Sequence, residues 1–149
     1  YIADRIREVL LKEGVTSAII DLGGNIHTIG KNADGRPFRI GIRDPEGSDT
    51  PVDVIEAENI SVVTAGTYER YIEQDGVRYH HILDPETGYP ARTGLSSVTV
   101  CGPSSFVCDA LATAFLAAGK EKAEKILETY NKENLTGYQA YFLESGDTD

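Results

Sequence analysis

The sequence predicts an α+β domain, a mainly antiparallel sheet covered by helices, and three observations carry that prediction. Apolar residues recur at helical spacing near both ends of the chain, at Ile2, Ile6, Val9 and Leu10 and again at Ala123, Ile126, Leu127 and Tyr130. Between them lie short β-branched runs separated by Gly, Pro, Asn and Asp, the punctuation of strands and turns. Gln74-Asp75-Gly76 is a hairpin signal that sets its flanking runs antiparallel.

Taken in order, Tyr1 to Glu13 is an amphipathic helix stopped by Gly14, with Asp4 in its first turn, where the helix macrodipole favours an acid. Thr16 to Ile20 is a buried strand by its β-branched content, and Ile26 to Ile29 follows after Asp21-Leu22-Gly23-Gly24-Asn25. Adjacent glycines there serve either a tight turn needing positive φ or the approach of a ligand to bare backbone. Asn32 to Gly35 is a turn, Phe38 to Ile42 a strand, and Pro45 to Pro51 a surface loop. Further strands are expected at Asn59 to Thr64, Tyr68 to Glu73, Val77 to Leu83, Leu95 to Val100 and Tyr138 to Leu143. Helices are expected at Ser105 to Ala118 and Lys120 to Lys132, and Glu144 to Asp149 reads as a polar, frayed tail.

With 149 residues and 40% apolar content, the chain fits one domain, residues 1–149, with a core of its own. A net charge of −10 argues against nucleic acid or an anionic membrane surface as the main partner. A phosphate ligand would need local help from a metal ion, backbone N–H groups or a few arginines. The 2 cysteines, Cys101 and Cys108, are too few for a disulfide framework, match no zinc spacing, and read as buried thiols. No hydrophobic run of the sequence approaches the length of a membrane span, and none of its residues reads as a signal sequence.

Chemistry concentrates between Tyr79 and Gly119. A histidine pair, His80-His81, runs into the loop Asp84-Pro85-Glu86-Thr87-Gly88-Tyr89-Pro90, where Asp84 caps local N–H groups and Pro85 fixes φ. The helix beyond carries Asp109 and Thr113 one turn apart on one face, amid Ala, Leu and Phe. A carboxylate in such surroundings needs a cation, a donor or water. Carboxylate and hydroxyl at this spacing suit a hard octahedral cation such as Mg²⁺, but D-x-x-x-T is a common spacing and by itself favours Thr113 or a nearby donor simply satisfying Asp109.

The segments HILDPETGYP and CDALATA, with SVTV between them, resemble the C-terminal half of the FAD:protein FMN transferases, the ApbE family of thiamine-biosynthesis lipoproteins. IIDLGGNI, FRIGIRDP and TAGTYERY are similar to further family motifs in the family's order, with Ala65 in place of the usual Ser. The resemblance runs from about Tyr1 to Gly119. It implies an ApbE-like C-terminal half, with Asp109 and Thr113 as metal ligands. Asp21, Gly23, Gly24 and Asn25 would line the flavin nucleotide site, together with Arg70, Leu83 and Asp84. His81 would be the base, its ordinary pKa lying near neutrality, whereas His80 holds a position that is often Ser.

The reaction implied is Mg²⁺-dependent transfer of FMN from FAD to a Thr or Ser hydroxyl of an acceptor flavoprotein subunit, with release of AMP. Two rivals stand beside it: an FAD pyrophosphatase yielding FMN and AMP, and a flavin- or protein-binding module without catalysis. Family members usually carry an export or lipoprotein signal and a whole N-terminal half upstream. The opening Tyr1-Ile2-Ala3-Asp4 looks like the tail of the family's KGYAAD-type motif. The chain is therefore expected to be a C-terminal fragment of an extracytoplasmic, membrane-anchored flavin transferase, exposing an apolar face, binding FAD weakly and transferring no FMN alone.

Overall fold

The computed structural model of the chain describes residues 1–145. In chain order its elements are α1 (Ile2–Lys12), β1 (Ala18–Asp21), β2 (Asn25–Ile29), β3 (Phe38–Ile42), β4 (Asp53–Ala57), β5 (Ser61–Gly66), β6 (Tyr71–Gln74), β7 (Val77–His80), β8 (Leu95–Gly102), α2 (Ser105–Ala118), α3 (Lys120–Asn134) and β9 (Gln139–Glu144). Five strands form the main sheet in the order β1-β2-β5-β8-β9, and β3-β4 and β6-β7 are separate two-stranded ribbons. Every pairing is antiparallel, as expected for an α+β fold of this kind.

β8 is buried along its whole length because it lies between β5 and β9 with both faces covered. On one face Val63, Val98 and Val100 pack under α2 through Cys108, Ala112, Phe115 and Leu116, and Ala123 and Tyr138 close the same core. On the other face the β3-β4 ribbon folds over Val62 and Cys101 with Ile40, Ile42, Ile55 and Ala57. Ala3 of α1 packs on Ile20 and Ile29 in a third, smaller cluster. Gly102 ends β8 where the Tyr138 ring passes so closely that a Cβ would overlap it. Both cysteines are buried and unpaired, in agreement with the sequence reading. Burial pushes the Cys101 thiol up to about 12 and the Cys108 thiol higher, so neither is a nucleophile at neutral pH.

Several expectations need correction. β4 adds a strand to those expected: its five-residue run Asp53–Ala57, just after the Pro/Gly loop, is a strand because it pairs along β3 from Phe38↔Ala57 to Ile42↔Asp53. β5 begins at Ser61 rather than Asn59, since Asn59 takes the left-handed conformation (φ 56°) and its side chain accepts from the Gly30 N–H. The first strand of the hairpin starts at Tyr71, and its partner ends at His80. Of the expected tail, Glu144 closes β9 opposite Leu95 and Ser145 donates to the Gly94 carbonyl at 2.8 Å. Residues 146–149 of that tail lie outside the described residues.

Asp4 stands in the first turn of α1 as expected, and it also serves a second helix. Its carboxylate crosses to the start of α2, accepting from the Ser105 N–H (2.8 Å), the Phe106 N–H (2.9 Å) and the Ser104 hydroxyl (3.1 Å). Partial burial alone would raise its pKa. The Phe106 and Ser105 amides and the Ser104 hydroxyl outweigh that cost and hold the carboxyl below its ordinary value.

Candidate functional site

Asp21 ends β1, and its Oδ1 accepts from the Gly23 N–H at 2.9 Å, which folds the chain sharply back into β2. Gly23 and Gly24 both hold left-handed φ, 73° and 80°, where a side chain would be strained. A Cβ on Gly23 would meet nothing within 4 Å, so this backbone stands bare to solvent space. The turn is therefore both a tight connection and an open cradle, and neither sequence reading of the glycine pair excludes the other.

Two cavities meet at this turn. The larger, about 520 Å³, lies between the β3 ribbon and the sheet, with an apolar floor of Ile26, Ile40, Ile42 and Val62. Arg43 and Arg70 line it together with Asp21 and Glu69. The smaller, about 140 Å³, gathers Asp109, Thr113, His81, Asn25 and Glu69. Gly23, Gly24, Thr64 and Glu69 line both.

The helix α2 places Asp109 and Thr113 together as their spacing requires, on the flank beside its buried face of Cys108, Ala112 and Phe115. Both are exposed, so the expectation that Asp109 sits amid apolar surroundings is corrected: its face looks out of the core, and no burial penalty compels a partner. Ser104 caps the helix, its hydroxyl accepting from the Val107 N–H at 3.4 Å. The same outward face exposes Phe106 (59%) and, near it, Tyr1 (69%) and Ile2 (65%). Among the described residues no three His, Cys, Asp or Glu side chains cluster as a metal site. Asp109 and Thr113 offer oxygen only, a donor set that fits Mg²⁺, which takes few protein ligands and keeps waters or phosphate oxygens for the rest.

His81 follows β7 and is held by one carbonyl through two of its nitrogens. The Arg70 carbonyl accepts from its backbone N–H at 3.2 Å and from ring Nδ1 at 3.1 Å. A carbonyl can only accept, so Nδ1 carries a hydrogen, and Nε2 is the ring nitrogen not engaged by that contact. His80 differs: its ring turns inward, Nε2 meets the Ala91 carbonyl at 3.1 Å, and burial lowers its pKa despite that hydrogen bond.

Leu83 and Asp84 line neither cavity. Leu83 is half exposed and bridges Pro90, while Asp84 Oδ1 accepts from the Glu86 N–H at 2.9 Å and caps its own loop. Three positions that the sequence left unassigned join the site. Glu69 lies on the seam of the two cavities, with Oε1 3.6 Å from where a Gly24 Cβ would stand; its place in TYERY was the available signal. Arg43 enters the larger cavity from the end of β3, and Thr64 shares a hydrogen bond of 2.8 Å with Thr99 on the wall between the cavities.

Comparison with known proteins gives this chain a family. The sequence profile of the ApbE family matches residues 1–139. An FAD:protein FMN transferase of Treponema pallidum is 45% identical over 139 residues, covering 87% of this chain and 38% of that protein. One from Klebsiella pneumoniae is 45% identical over 123 residues, covering 82% of this chain and 37% of its own length. Among solved structures, the ApbE protein of Thermotoga maritima superposes with a TM-score of 0.78 at 39% identity, over 94% of this chain and 45% of that one. The flavin transferase ApbE of Vibrio cholerae does so with 0.72 at 31% identity, over 95% and 47%. The chain thus spans well under half the length of the relatives it matches. A profile match across nearly the whole chain, borne on the same antiparallel fold, means that this chain belongs to the ApbE family.

Proposed function

We propose that this chain is the C-terminal part of an FAD:protein FMN transferase and carries the centre at which FMN passes from FAD to a Thr or Ser hydroxyl of an acceptor flavoprotein subunit. The observation that carries the reading is the smaller cavity, where Asp109 and Thr113 of α2, His81 and the bare Gly23-Gly24 turn converge from three separate parts of the chain. A dinucleotide joined by a pyrophosphate needs what converges there: oxygen ligands for a cation, backbone free of side chains, and a base.

In this reading the acceptor hydroxyl donates its proton to His81 Nε2, the one ring nitrogen not already committed to the Arg70 carbonyl. Its oxygen bonds to the phosphorus on the FMN side, the bridging P–O bond to the AMP phosphate breaks, and AMP leaves with the bridging oxygen. Asp109 and Thr113 would hold Mg²⁺, which supplies charge neutralisation on the pyrophosphate. Arg43 and Arg70 in the larger cavity offer further positive charge in a chain of net charge −10, and the apolar floor there suits an aromatic ring. Leu83 and Asp84 are proposed to contact the flavin from the adjoining loop.

The polypeptide matching the rest of the relatives' length would pack on the outward face of α2 and close the site. Anchoring at an extracytoplasmic membrane surface would lie in that upstream part; among the described residues no helix is long and apolar enough to cross a membrane. The test is product analysis with FAD, Mg²⁺ and an acceptor subunit. Covalent flavin on the acceptor with an equal yield of AMP supports the reading; free FMN points to a pyrophosphatase, and unreacted FAD to a binding module.

A further inference from the structure

The ligand-bearing helix α2 is held at its start by a group from the other end of the chain. Asp4 lies on α1, about 100 residues away in sequence, yet its two carboxylate oxygens take both free N–H groups at Ser105 and Phe106 as well as the Ser104 hydroxyl. Ser105 continues the connection, for its hydroxyl pairs with Asn25 Oδ1 at 2.5 Å, and Asn25 lines the small cavity beside Gly24. Asp109 stands one turn beyond Ser105 and Thr113 two turns beyond, on a helix whose rise is about 1.5 Å per residue. A shift or rotation at Ser105 is therefore passed along a rigid helix to both oxygens.

We propose that Asp4 is a positioning residue: by joining α1, the α2 N-terminus and, through Ser105, Asn25, it fixes Asp109 and Thr113 against the Gly23-Gly24 turn. The proposal rests on the reading of Asp109 and Thr113 as ligands of a divalent ion. Ordinary N-capping is already met by Ser104, whose hydroxyl accepts from Val107. A second acceptor carried by a different helix adds little to α2 alone. What it adds is a fixed relation between two elements, and the depressed pKa of its carboxyl reflects how fully the connection is made.

The test uses the whole chain and Mn²⁺ as probe, read by paramagnetic broadening of the Asp109 and Thr113 amide resonances and by thermal melting. Asp4→Asn is nearly isosteric but replaces one acceptor oxygen by a donor facing an N–H. It is expected to weaken Mn²⁺ binding by about tenfold or more, while an Ile55→Val change in the remote β3-β4 core leaves binding unaltered. The double variant Asp4→Asn with Ser104→Asp restores a carboxylate at the helix start without restoring the connection to α1. It is expected to recover melting temperature and not Mn²⁺ affinity. Recovery of both, or unchanged affinity in Asp4→Asn, overturns the positioning role. Wild-type chain whose Asp109 and Thr113 resonances do not respond to Mn²⁺ overturns the ion-site reading, and this proposal with it.

Discussion

Acid should unfold this protein through a histidine that takes no part in the proposed chemistry. His27, on β2, is completely buried; its Nδ1 pairs with Ser61 Oγ, and its Nε2 has no partner among the described residues. Burial first, and then the nearby Arg7 guanidinium, lower its pKa from 6.5 to about 4, with Asp4 opposing the shift. The folded state thus refuses a proton that the unfolded chain accepts at about pH 6.5. Stability is complete above pH 6.5 and falls as pH drops toward 4, below which both states are protonated and the loss is constant. The difference between 6.5 and about 4, at about 1.4 kcal/mol per tenfold change in proton affinity, amounts to about 3 kcal/mol. That is a large fraction of the total for a domain of this size. Urea melts from pH 7.5 to 4 should show the decline in the wild type and a nearly flat profile over that interval in His27→Gln, which cannot titrate. Equal declines in both proteins would refute the assignment and move the acid sensitivity to other groups.

Further outcomes follow from the site. Asp109→Ala and Asp109→Asn, at an exposed position, should leave the fold and melting temperature intact yet abolish Mg²⁺-dependent turnover in the complete protein; near wild-type rates would remove Asp109 from the ligand set. His81→Ala should lower transfer on the order of 10²–10⁴-fold with FAD affinity retained, while His80→Ala, whose ring is committed to the Ala91 carbonyl, should cost far less. Equal losses for the two, measured as single-turnover rates, would sink the base assignment. The chain by itself should bind FAD weakly and transfer no FMN, and adding the polypeptide that corresponds to the rest of its relatives should restore both; tight binding and repeated turnover by residues 1–149 alone would show a site complete without it.

Much of the architecture was readable because local chemistry and tertiary context agree. Phe38–Ile42 and the helix Ser105–Ala118 have the expected bounds, and Gln74-Asp75-Gly76 turns the hairpin as its composition requires. The i, i+4 spacing of Asp109 and Thr113 likewise put both on one face, and Gly23, Gly24, Asn25 and His81 line the same small cavity, with Asp21 in the larger one beside it. What stayed hidden depends on partners distant in sequence. Asp53–Ala57 is a strand because β3 offers it an edge. Asp4 is the first-turn acid its position indicates, but nothing local announces its link to the α2 N-terminus. His27 falls within the expected strand Ile26 to Ile29, and its burial against Ser61 and beside Arg7 is set by residues distant in sequence. The exposure of Asp109 was misjudged for a related reason: α2 is apolar almost all round, which normally marks a buried helix, but here only one face meets the sheet.

The most direct test of the account follows the fate of the flavin. With the completed protein, FAD, Mg²⁺ and an acceptor subunit, the intact mass of the acceptor should rise by one FMN per modified hydroxyl, AMP should appear in equal amount, and both should vanish in Asp109→Ala. Free FMN with an unmodified acceptor, or transfer that survives Asp109→Ala, would contradict the assignment of this cavity as the centre of flavin transfer.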